Sequence, residues 1–315
     1  MNYWFGAMCI LASVGEHGRN AHADVIIVQI LLNYGRSQMQ WPQPPLQQPP
    51  FLQRPLVGPP SLQPPALRQP SFLEAPMEMP FWLPPPQPPL PVDGACTQST
   101  KDAIREYQSR VMKAPKPDGR IDPGGATLRS LRDAIPSGLD AVKLLGIMPA
   151  ATVTDIDKYA ALLFAGMEAR AINTSLRQAH FLAQLGHESM SFFYSEETAS
   201  GAAYEGRANL GNTEPGDGVR FKGRGLIQLT GRANYTAYGA SIGEDFLTDN
   251  NPARVATEPR FATDVSTWFW ETHNLNPLAD ADNHRQVCIV VNGRNCTTFR
   301  EREAFLLRAK FFLGI

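Results

Sequence analysis

The stretch 173-NTSLRQAHFLAQLGHESMSFFYSEE-197 begins as a helix and then departs from helical character. Asn173 or Thr174 can cap the start of a helix. The apolar residues that follow recur at helical spacing: Leu176, Ala179, Leu182, Ala183 and Gly186. After Glu188, two serines weaken the helix and three aromatic residues favour extended or packed backbone. The stretch therefore predicts a helix that ends near Glu188 and a chain that bends before Glu197.

The bend decides whether Glu188 and Glu197 can act together. An unbroken helix would put them on opposite faces, about 13 Å apart along its axis, and an extended strand would separate them further. With a bend, the two residues can form the carboxyl pair of glycoside hydrolysis, in which one acid protonates the departing oxygen and one carboxylate activates water. Glu188, beside the apolar end of the helix, is the candidate acid because partial burial raises a carboxyl pKa. Glu197 is the candidate base, and two solvated surface charges remain the alternative.

The surrounding segments predict a mainly α-helical domain over residues 146–315. The run 152-TVTDIDKYAALLFAGMEAR-170 is amphipathic with helical period. Residues 261–272 and 301–312 also have helical patterns, while strand-like alternation is scarce. The chain of 315 residues, 43% of them hydrophobic, has room for two domains.

Charge and hydropathy exclude several classes of protein. The net charge of −1 gives no electrostatic basis for binding nucleic acid or an anionic membrane. The apolar segment from residue 3 to residue 12 lacks a basic flank and is too short to span a bilayer. It favours a buried N-terminal element over a signal peptide. We therefore expect a protein made in the cytoplasm without a clear signal peptide and with no stable membrane insertion.

The cysteines and histidines predict no metal and no cofactor. Four scattered cysteines without a Cys-x-x-Cys pair suit neither a disulfide scaffold nor a zinc site: Cys9, Cys96, Cys288 and Cys296. The last two flank a short loop and can bridge in an oxidising compartment, although free thiols are the favoured interpretation. The metallopeptidase pattern that begins at His187 would need a second histidine where Ser191 stands.

A proline-rich segment interrupts the N-terminal part of the chain. Nineteen of the 28 prolines fall between Pro42 and Pro91, which makes residues 41–89 a polyproline-like insertion, either a spacer or a docking arm. Before it, 24-DVIIVQILLN-33 has helical spacing with Asp24 as a plausible N-cap. After it, 92-VDGACTQSTKDAIREYQSRV-111 and 117-PDGRIDPGGATLRSL-131 each predict a turn followed by a helix. Three short helices can enclose a small core.

These three segments resemble the peptidoglycan-binding domain of cell-wall hydrolases, split here into residues 13–40 and 90–138. The insertion departs from the family pattern, in which a short loop joins the halves, although a long surface loop costs little closure free energy. The resemblance implies that this part binds the cell wall.

A second resemblance covers the chain from about Ile147 to its C-terminus. The segment 201-GAAYEGRANLGNTEPGDGVRFKGRGLIQLTGRANYTAYG-239, together with 186-GHES-189 and 291-VNG-293, resembles glycoside hydrolase family 19. That family has a lysozyme-like, mainly α-helical catalytic domain. Carried over by position, the resemblance implies Glu188 as general acid and Glu197 as general base. Glu196 is the obvious mis-assignment, but neighbouring side chains of an extended chain point to opposite sides.

The same resemblance implies which residues bind substrate. Glycines at 223 and 225 permit close backbone approach within the motif. The residues expected to bind sugar or hold the nucleophilic water are Gln228, Thr230, Asn234, Tyr235 and Asn292, with Tyr235 offering a sugar-stacking face. An arginine is expected to pair with a catalytic carboxylate, and Arg300 and Arg302 compete for that role.

The predicted function is a cell-wall lytic glycosidase that hydrolyses β-1,4 bonds of peptidoglycan by an inverting acid/base mechanism. Its partner is then a polysaccharide, and no protein partner or immunity protein is identified. A chitinase acting on chitin oligomers is the nearest alternative, and a non-catalytic glycan-binding or docking protein is the alternative of another class. The expected place of action is the periplasm or the extracellular wall, as a phage endolysin or an antibacterial effector.

Overall fold

The computed structural model describes residues 9–37 and 88–315. Within these residues the chain forms thirteen α-helices and one antiparallel sheet of two short strands. The N-terminal part contains β1 (Val14–Gly15), α1 (His22–Ser37), α2 (Gln98–Arg110), β2 (Arg120–Ile121) and α3 (Ala126–Asp133). The mainly α class is confirmed. Residues 41–87 of the predicted proline-rich insertion lie outside the described residues.

The two halves that flank the insertion meet in the structure. In the sheet, Val14 of β1 pairs with Ile121 of β2. From α1, the Gln29 side chain donates to the Asp93 carboxylate at 2.8 Å and accepts from the backbone N–H of Gly94 at 3.0 Å. The Asn33 side chain both donates to and accepts from the backbone of Leu90. These hydrogen bonds hold the two ends of the insertion together.

Helix α1 is the centre of the N-terminal part. Every residue from Asp24 to Leu32 is buried, because α2, α3 and α4 pack around the helix. The prediction that Asp24 caps α1 is wrong, since the helix begins at His22 and Asp24 lies inside its first turn. The Asp24 carboxylate instead accepts from the backbone N–H groups of Leu11 and Ala12, at 3.0 and 2.9 Å. These bonds satisfy a buried charge and hold the N-terminal segment in place.

The C-terminal part contains ten helices, two of which are single turns of four residues. They are α4 (Ala141–Ile147), α5 (Val153–Ala169), α6 (Ser175–Glu188), α7 (Asp217–Arg220), α8 (Arg232–Ile242), α9 (Arg254–Thr257), α10 (Pro259–Thr272), α11 (Asn276–Asp280), α12 (His284–Asn292) and α13 (Phe299–Phe312). Helices α6 and α13 form the most extensive pair, and α5 packs against α10. Among the described residues, no helix is both long enough and apolar enough to cross a bilayer.

Helix α6 positions the site and is itself almost completely enclosed. The Thr174 side chain accepts from the backbone N–H of Arg177 and caps the helix, so Thr174 and not Asn173 is the N-cap. Residues 179–186 are all buried. Gly186 lets α13 approach closely, because a Cβ at this position would lie 2.6 Å from Cδ1 of Phe305. The C-terminal end of α6 is therefore held rigidly against α13.

The N-terminal part and the C-terminal part pack as one compact unit. Helix α1 contacts α4, and the Tyr34 hydroxyl lies 3.0 Å from both carboxylate oxygens of Asp140. The guanidinium of Arg132 in α3 stands 5.8 Å from the ring centre of Phe311 in α13. The two predicted domains are thus in direct contact through α1, α3, α4 and α13.

Candidate active site

The predicted bend begins immediately after Glu188, the last residue of α6. Met190, Ser191 and Phe192 have positive φ angles of 48°, 58° and 72°, which L-residues seldom adopt in succession. Hydrogen bonds stabilise this backbone: Ser191 N–H donates to Gly186 O at 2.8 Å, and Phe192 N–H donates to the Ser189 hydroxyl at 2.9 Å. Such strained conformations persist only where the surroundings determine them, and they concentrate at functional sites.

One aromatic residue of the bend anchors it. The Phe192 ring is 2% exposed and packs 5.7 Å from the ring of Tyr159 in α5. The next residue, Phe193, is turned outward and is 65% exposed, as is Met190 at 58%. The buried ring of Phe192 thus anchors the bend, while Met190 and Phe193 expose apolar side chains in the segment that joins the two predicted catalytic residues.

Glu188 is held by a buried arginine. Arg302 of α13 is completely buried, and its Nη2 donates to Glu188 Oε1. Its remaining nitrogens donate to the Gln184 side chain at 2.7 Å and to the Thr298 hydroxyl at 3.0 Å. Arg300 is exposed and pairs with Glu303, so Arg302 is the arginine that contacts the candidate acid. The Glu188 side chain keeps 17% of its surface exposed.

Glu196 and Glu197 face opposite ways, as extended backbone requires. Glu196 forms ion pairs with Arg224 at 2.8 Å and Lys222 at 3.3 Å. Glu197 forms no ion pair within the described chain; its Oε2 accepts from the Tyr204 hydroxyl at 2.9 Å, and its Oε1 is buried without a hydrogen-bond partner. A buried carboxylate oxygen without a partner is costly, which distinguishes Glu197 from its neighbour.

The glycine-rich motif places Gln228 beside Glu197. The Glu197 N–H donates to Gly223 O at 3.0 Å. A Cβ at Gly223 would lie 2.9 Å from Oε1 of Gln228 and 3.3 Å from Oε2 of Glu197, so glycine is required for both side chains to meet there. Gln228 itself has a φ of 59°. The motif therefore brings a predicted substrate-binding amide and the candidate base to one point.

Thr230 and Asn234 continue the polar surface from Gln228. The Thr230 hydroxyl donates to Gln228 O at 2.9 Å, and the Asn234 amide donates to Thr230 O at 2.8 Å. Asn234 is exposed and Thr230 is half-buried. Asn292 is exposed at the C-terminal end of α12, and its side chain accepts from the Thr297 hydroxyl at 3.5 Å.

The prediction that Tyr235 offers a sugar-stacking face is wrong. Its side chain is fully buried, with the ring 5.3 Å from that of Phe221. Its hydroxyl donates to Lys222 O at 2.8 Å and accepts from Arg224 at 3.2 Å, and burial raises the pKa of this phenol. Tyr235 lies on the inward face of α8, where it supports the cations that hold Glu196.

The expectation of free thiols at Cys288 and Cys296 is also wrong. The chain turns at Gly293, with a φ of 87°, and brings the two Cα atoms to 5.6 Å, where the side chains form a disulfide. The disulfide joins α12 to the segment just before α13, the helix that supplies Arg302. Local spacing could not show this, because it does not say whether the loop folds back.

No sequence pattern pointed to Tyr204, which contacts the candidate base directly. It lies in a 3-10 turn (Ala202–Tyr204) seven positions after Glu197, and only the folded loop brings the two together. A cavity of about 390 Å³ between α5, α8 and α10 includes none of the predicted site residues. No group of three or more His, Cys, Asp or Glu side chains in the described ranges is arranged to hold a metal ion.

Comparison with known proteins places the site in context. Residues 159–289 match the family model for class I chitinases of glycoside hydrolase family 19. An endochitinase of Arabidopsis thaliana is 36% identical over 135 residues, which cover 43% of this chain and 45% of the relative. A family 19 domain-containing protein of Haemophilus influenzae is 29% identical over 38% of this chain and 71% of its own length. The chain thus spans less than half of the Arabidopsis protein.

Among solved structures, chitinase C from Streptomyces griseus is 21% identical, with a TM-score of 0.45 over 56% of this chain and 92% of that protein. The crystal structure of another bacterial family 19 chitinase has a TM-score of 0.46 at 22% identity and covers 56% of this chain and 95% of that one.

Proposed function

Because residues 159–289 belong to glycoside hydrolase family 19, we propose that this protein hydrolyses β-1,4 glycosidic bonds of peptidoglycan, with Glu188 as general acid and Glu197 as general base. The observation that carries the proposal is the arrangement around the bend. Two carboxylates follow each other across a strained turn, each is held through one oxygen by its own partner, and the competing Glu196 is turned away into an ion pair.

The two carboxyl groups suit different steps of an inverting mechanism. Arg302 holds Oε1 of Glu188, which leaves Oε2 to carry the proton that passes to the departing glycosidic oxygen. The Glu197 carboxylate, which has no ion-pair partner within the described chain, takes a proton from the attacking water. Inversion needs roughly 6.5 to 9.5 Å between the carboxyl groups, so that one water fits against the far face of the sugar. Gln228 and Thr230 bind that water or the neighbouring acetamido sugar.

Peptidoglycan is favoured over chitin by the N-terminal part. Its three helices and Asp-Gly turns resemble a wall-binding module, and binding to the polymer would raise the local concentration of the catalytic part. The packing of α1 and α3 against α4 and α13 supports delivery as one body. Chitin remains the second candidate, because the Arabidopsis relative is an endochitinase and both polymers contain β-1,4-linked N-acetylglucosamine. We propose that the protein acts in the periplasm or on the external wall, either in phage lysis or in attack on competing bacteria.

The test compares hydrolysis of purified sacculi and of chitin oligomers by the wild-type protein and three variants. Glu188→Gln and Glu197→Gln should each lose at least 100-fold in kcat if the carboxyl groups transfer protons. Glu196→Gln is the matched control and should keep activity within a few-fold, because Glu196 is adjacent and chemically identical but faces Arg224. Mass analysis of the released fragments identifies the bond cut, and proton NMR of the first products gives their anomeric configuration.

Each outcome separates the alternatives. Cleavage of chitin oligomers with intact sacculi would replace the proposal with a chitinase. Binding to sacculi without release of fragments, unchanged by Glu188→Gln, would instead support a non-catalytic glycan-binding or docking protein.

A further inference from the structure

Tyr204 makes the one side-chain hydrogen bond that Glu197 forms in the described structure. Its hydroxyl lies 2.9 Å from Oε2 of Glu197. Oε1 of the same carboxylate is buried and has no protein partner. The Tyr204 phenol is therefore the one side-chain group that holds the carboxylate of the candidate base.

The backbone of Tyr204 is fixed from two sides. Its N–H donates to Gly201 O at 2.9 Å, and its carbonyl accepts from the Asn212 side chain at 2.9 Å. Gly201 has a φ of 83°, and a Cβ there would lie 2.4 Å from the carbonyl oxygen of Gly218 in α7. The turn is thus pressed against α7. These contacts place the backbone of Tyr204 independently of the hydroxyl's contact with Glu197.

Tyr204 remains a proton donor at the pH where a wall hydrolase works. Burial raises the pKa of its phenol, and the hydrogen bond to Glu197 raises it further. The charges nearest this pair are few: the Arg207 guanidinium lies 5.9 Å from the Tyr204 ring, and Lys222 donates to Glu197 O at 3.2 Å while pairing with Glu196. None of these cations has a contact to the Glu197 carboxylate, so the phenol is the group that orients it.

We propose that Tyr204 is a positioning residue for the general base: its hydroxyl holds Oε2 of Glu197 and so fixes the orientation of the carboxylate. This inference rests on the proposed function of Glu197. A carboxylate held at one oxygen loses rotational freedom before substrate arrives, and well-oriented groups of this kind account for large factors in rate.

The experiment compares Tyr204→Phe with wild type over pH 3 to 9 on the polymer that the wild type cleaves. Tyr34→Phe is the matched control, because Tyr34 is also half-buried and also donates to a carboxylate, that of Asp140, in another part of the chain. Tyr204→Phe should lower kcat by about tenfold or more, since hydrogen bonds to charged groups are among the stronger ones. KM should change less than twofold, because the phenol is proposed to orient the base and not to bind substrate. Tyr34→Phe should leave kcat and KM unchanged.

The outcomes distinguish this inference from the proposed function. If Glu197→Gln is inactive but Tyr204→Phe matches wild type in kcat at every pH tested, Tyr204 has no positioning role and Glu197 keeps its assignment. If Glu197→Gln retains activity, the proposed function fails first. A Tyr204→Phe protein that loses cooperative thermal unfolding would show that the hydroxyl maintains the fold, which also overturns the inference. We expect it to fold, because phenylalanine retains the ring and only a half-buried hydroxyl is removed.

Discussion

Glu188→Gln and Glu197→Gln should both abolish hydrolysis, yet they should differ in stability. Arg302 is completely buried, and the one carboxyl group that it contacts is that of Glu188, whose side chain is 17% exposed. Replacing this carboxyl group leaves the buried guanidinium with amide and hydroxyl partners only. Breaking a buried ion pair costs about 3 to 5 kcal/mol, but a glutamine oxygen still accepts one hydrogen bond. We therefore expect Glu188→Gln to lower the free energy of unfolding by about 2 to 3 kcal/mol.

Glu197→Gln should not lower the free energy of unfolding in this way. Its Oε1 is already buried without a partner, and a glutamine at this position can still accept a hydrogen bond from Tyr204. The change in unfolding free energy should stay within about 1 kcal/mol in either direction. Strain at active sites is often relieved when the functional group is removed.

Thermal and urea unfolding of the two variants and wild type measures the difference. For a protein of this size, 2 to 3 kcal/mol corresponds to a fall in Tm of about 3 to 6 °C for Glu188→Gln, against about 2 °C or less for Glu197→Gln. Glu196→Gln gives the baseline for losing an ion pair that is half-exposed. Equal losses in Glu188→Gln and Glu197→Gln, or a Glu188→Gln protein as stable as wild type, would refute the reasoning from the buried arginine.

Three further predictions concern other parts of the structure. Reducing the Cys288–Cys296 disulfide, or replacing both residues with serine, should lower the free energy of unfolding in urea by about 2 to 3 kcal/mol. It should also lower kcat, because the bond closes the loop that precedes α13. An unchanged unfolding midpoint with and without reductant would contradict this prediction. Burial lowers the pKa of His284 to about 4. The unfolded chain therefore binds this proton at a higher pH than the folded chain does, and the free energy of unfolding should fall by at most about 3 kcal/mol as the pH drops from 6.5 to about 4. His284→Gln should flatten that part of the profile of stability against pH. The exposed guanidinium of Arg207 lies 5.9 Å from the ring of Tyr204, and its charge suits the carboxylates of peptidoglycan. Arg207→Gln should therefore slow the cleavage of sacculi about threefold to fivefold and leave the cleavage of neutral chitin oligomers unaffected. Arg285→Gln, which removes an exposed arginine 6.0 Å from another ring, is the control and should change neither rate.

The sequence could predict the features that depend on short-range order. Helical spacing and a capping residue locate α6, and the serines and aromatic residues after Glu188 predict the bend. Alternation along extended backbone predicts that Glu196 and Glu197 diverge, as they do. The family motif identifies the residues around Gln228. Each of these predictions needs only a few consecutive residues and the local rules of backbone geometry.

The features that the sequence could not predict depend on which surfaces meet. Arg302 and Arg300 are equivalent in the sequence, but they lie on different faces of α13, and only the packing of α13 against α6 brings Arg302 to Glu188. Tyr235 has the polar and aromatic character of a sugar-binding residue, yet the face of α8 on which it lies turns inward.

By itself, the sequence determined the class of fold and the place where the chain turns, and it predicted which two carboxyl groups form the catalytic pair. The tertiary structure decided which groups hold that pair: the buried guanidinium of Arg302 at Glu188 and the phenol of Tyr204 at Glu197. The reason is physical. Periodicity and turn preferences act over a few residues, whereas the burial of a charge and the direction of a hydrogen bond are set by distant segments that meet only in the folded chain.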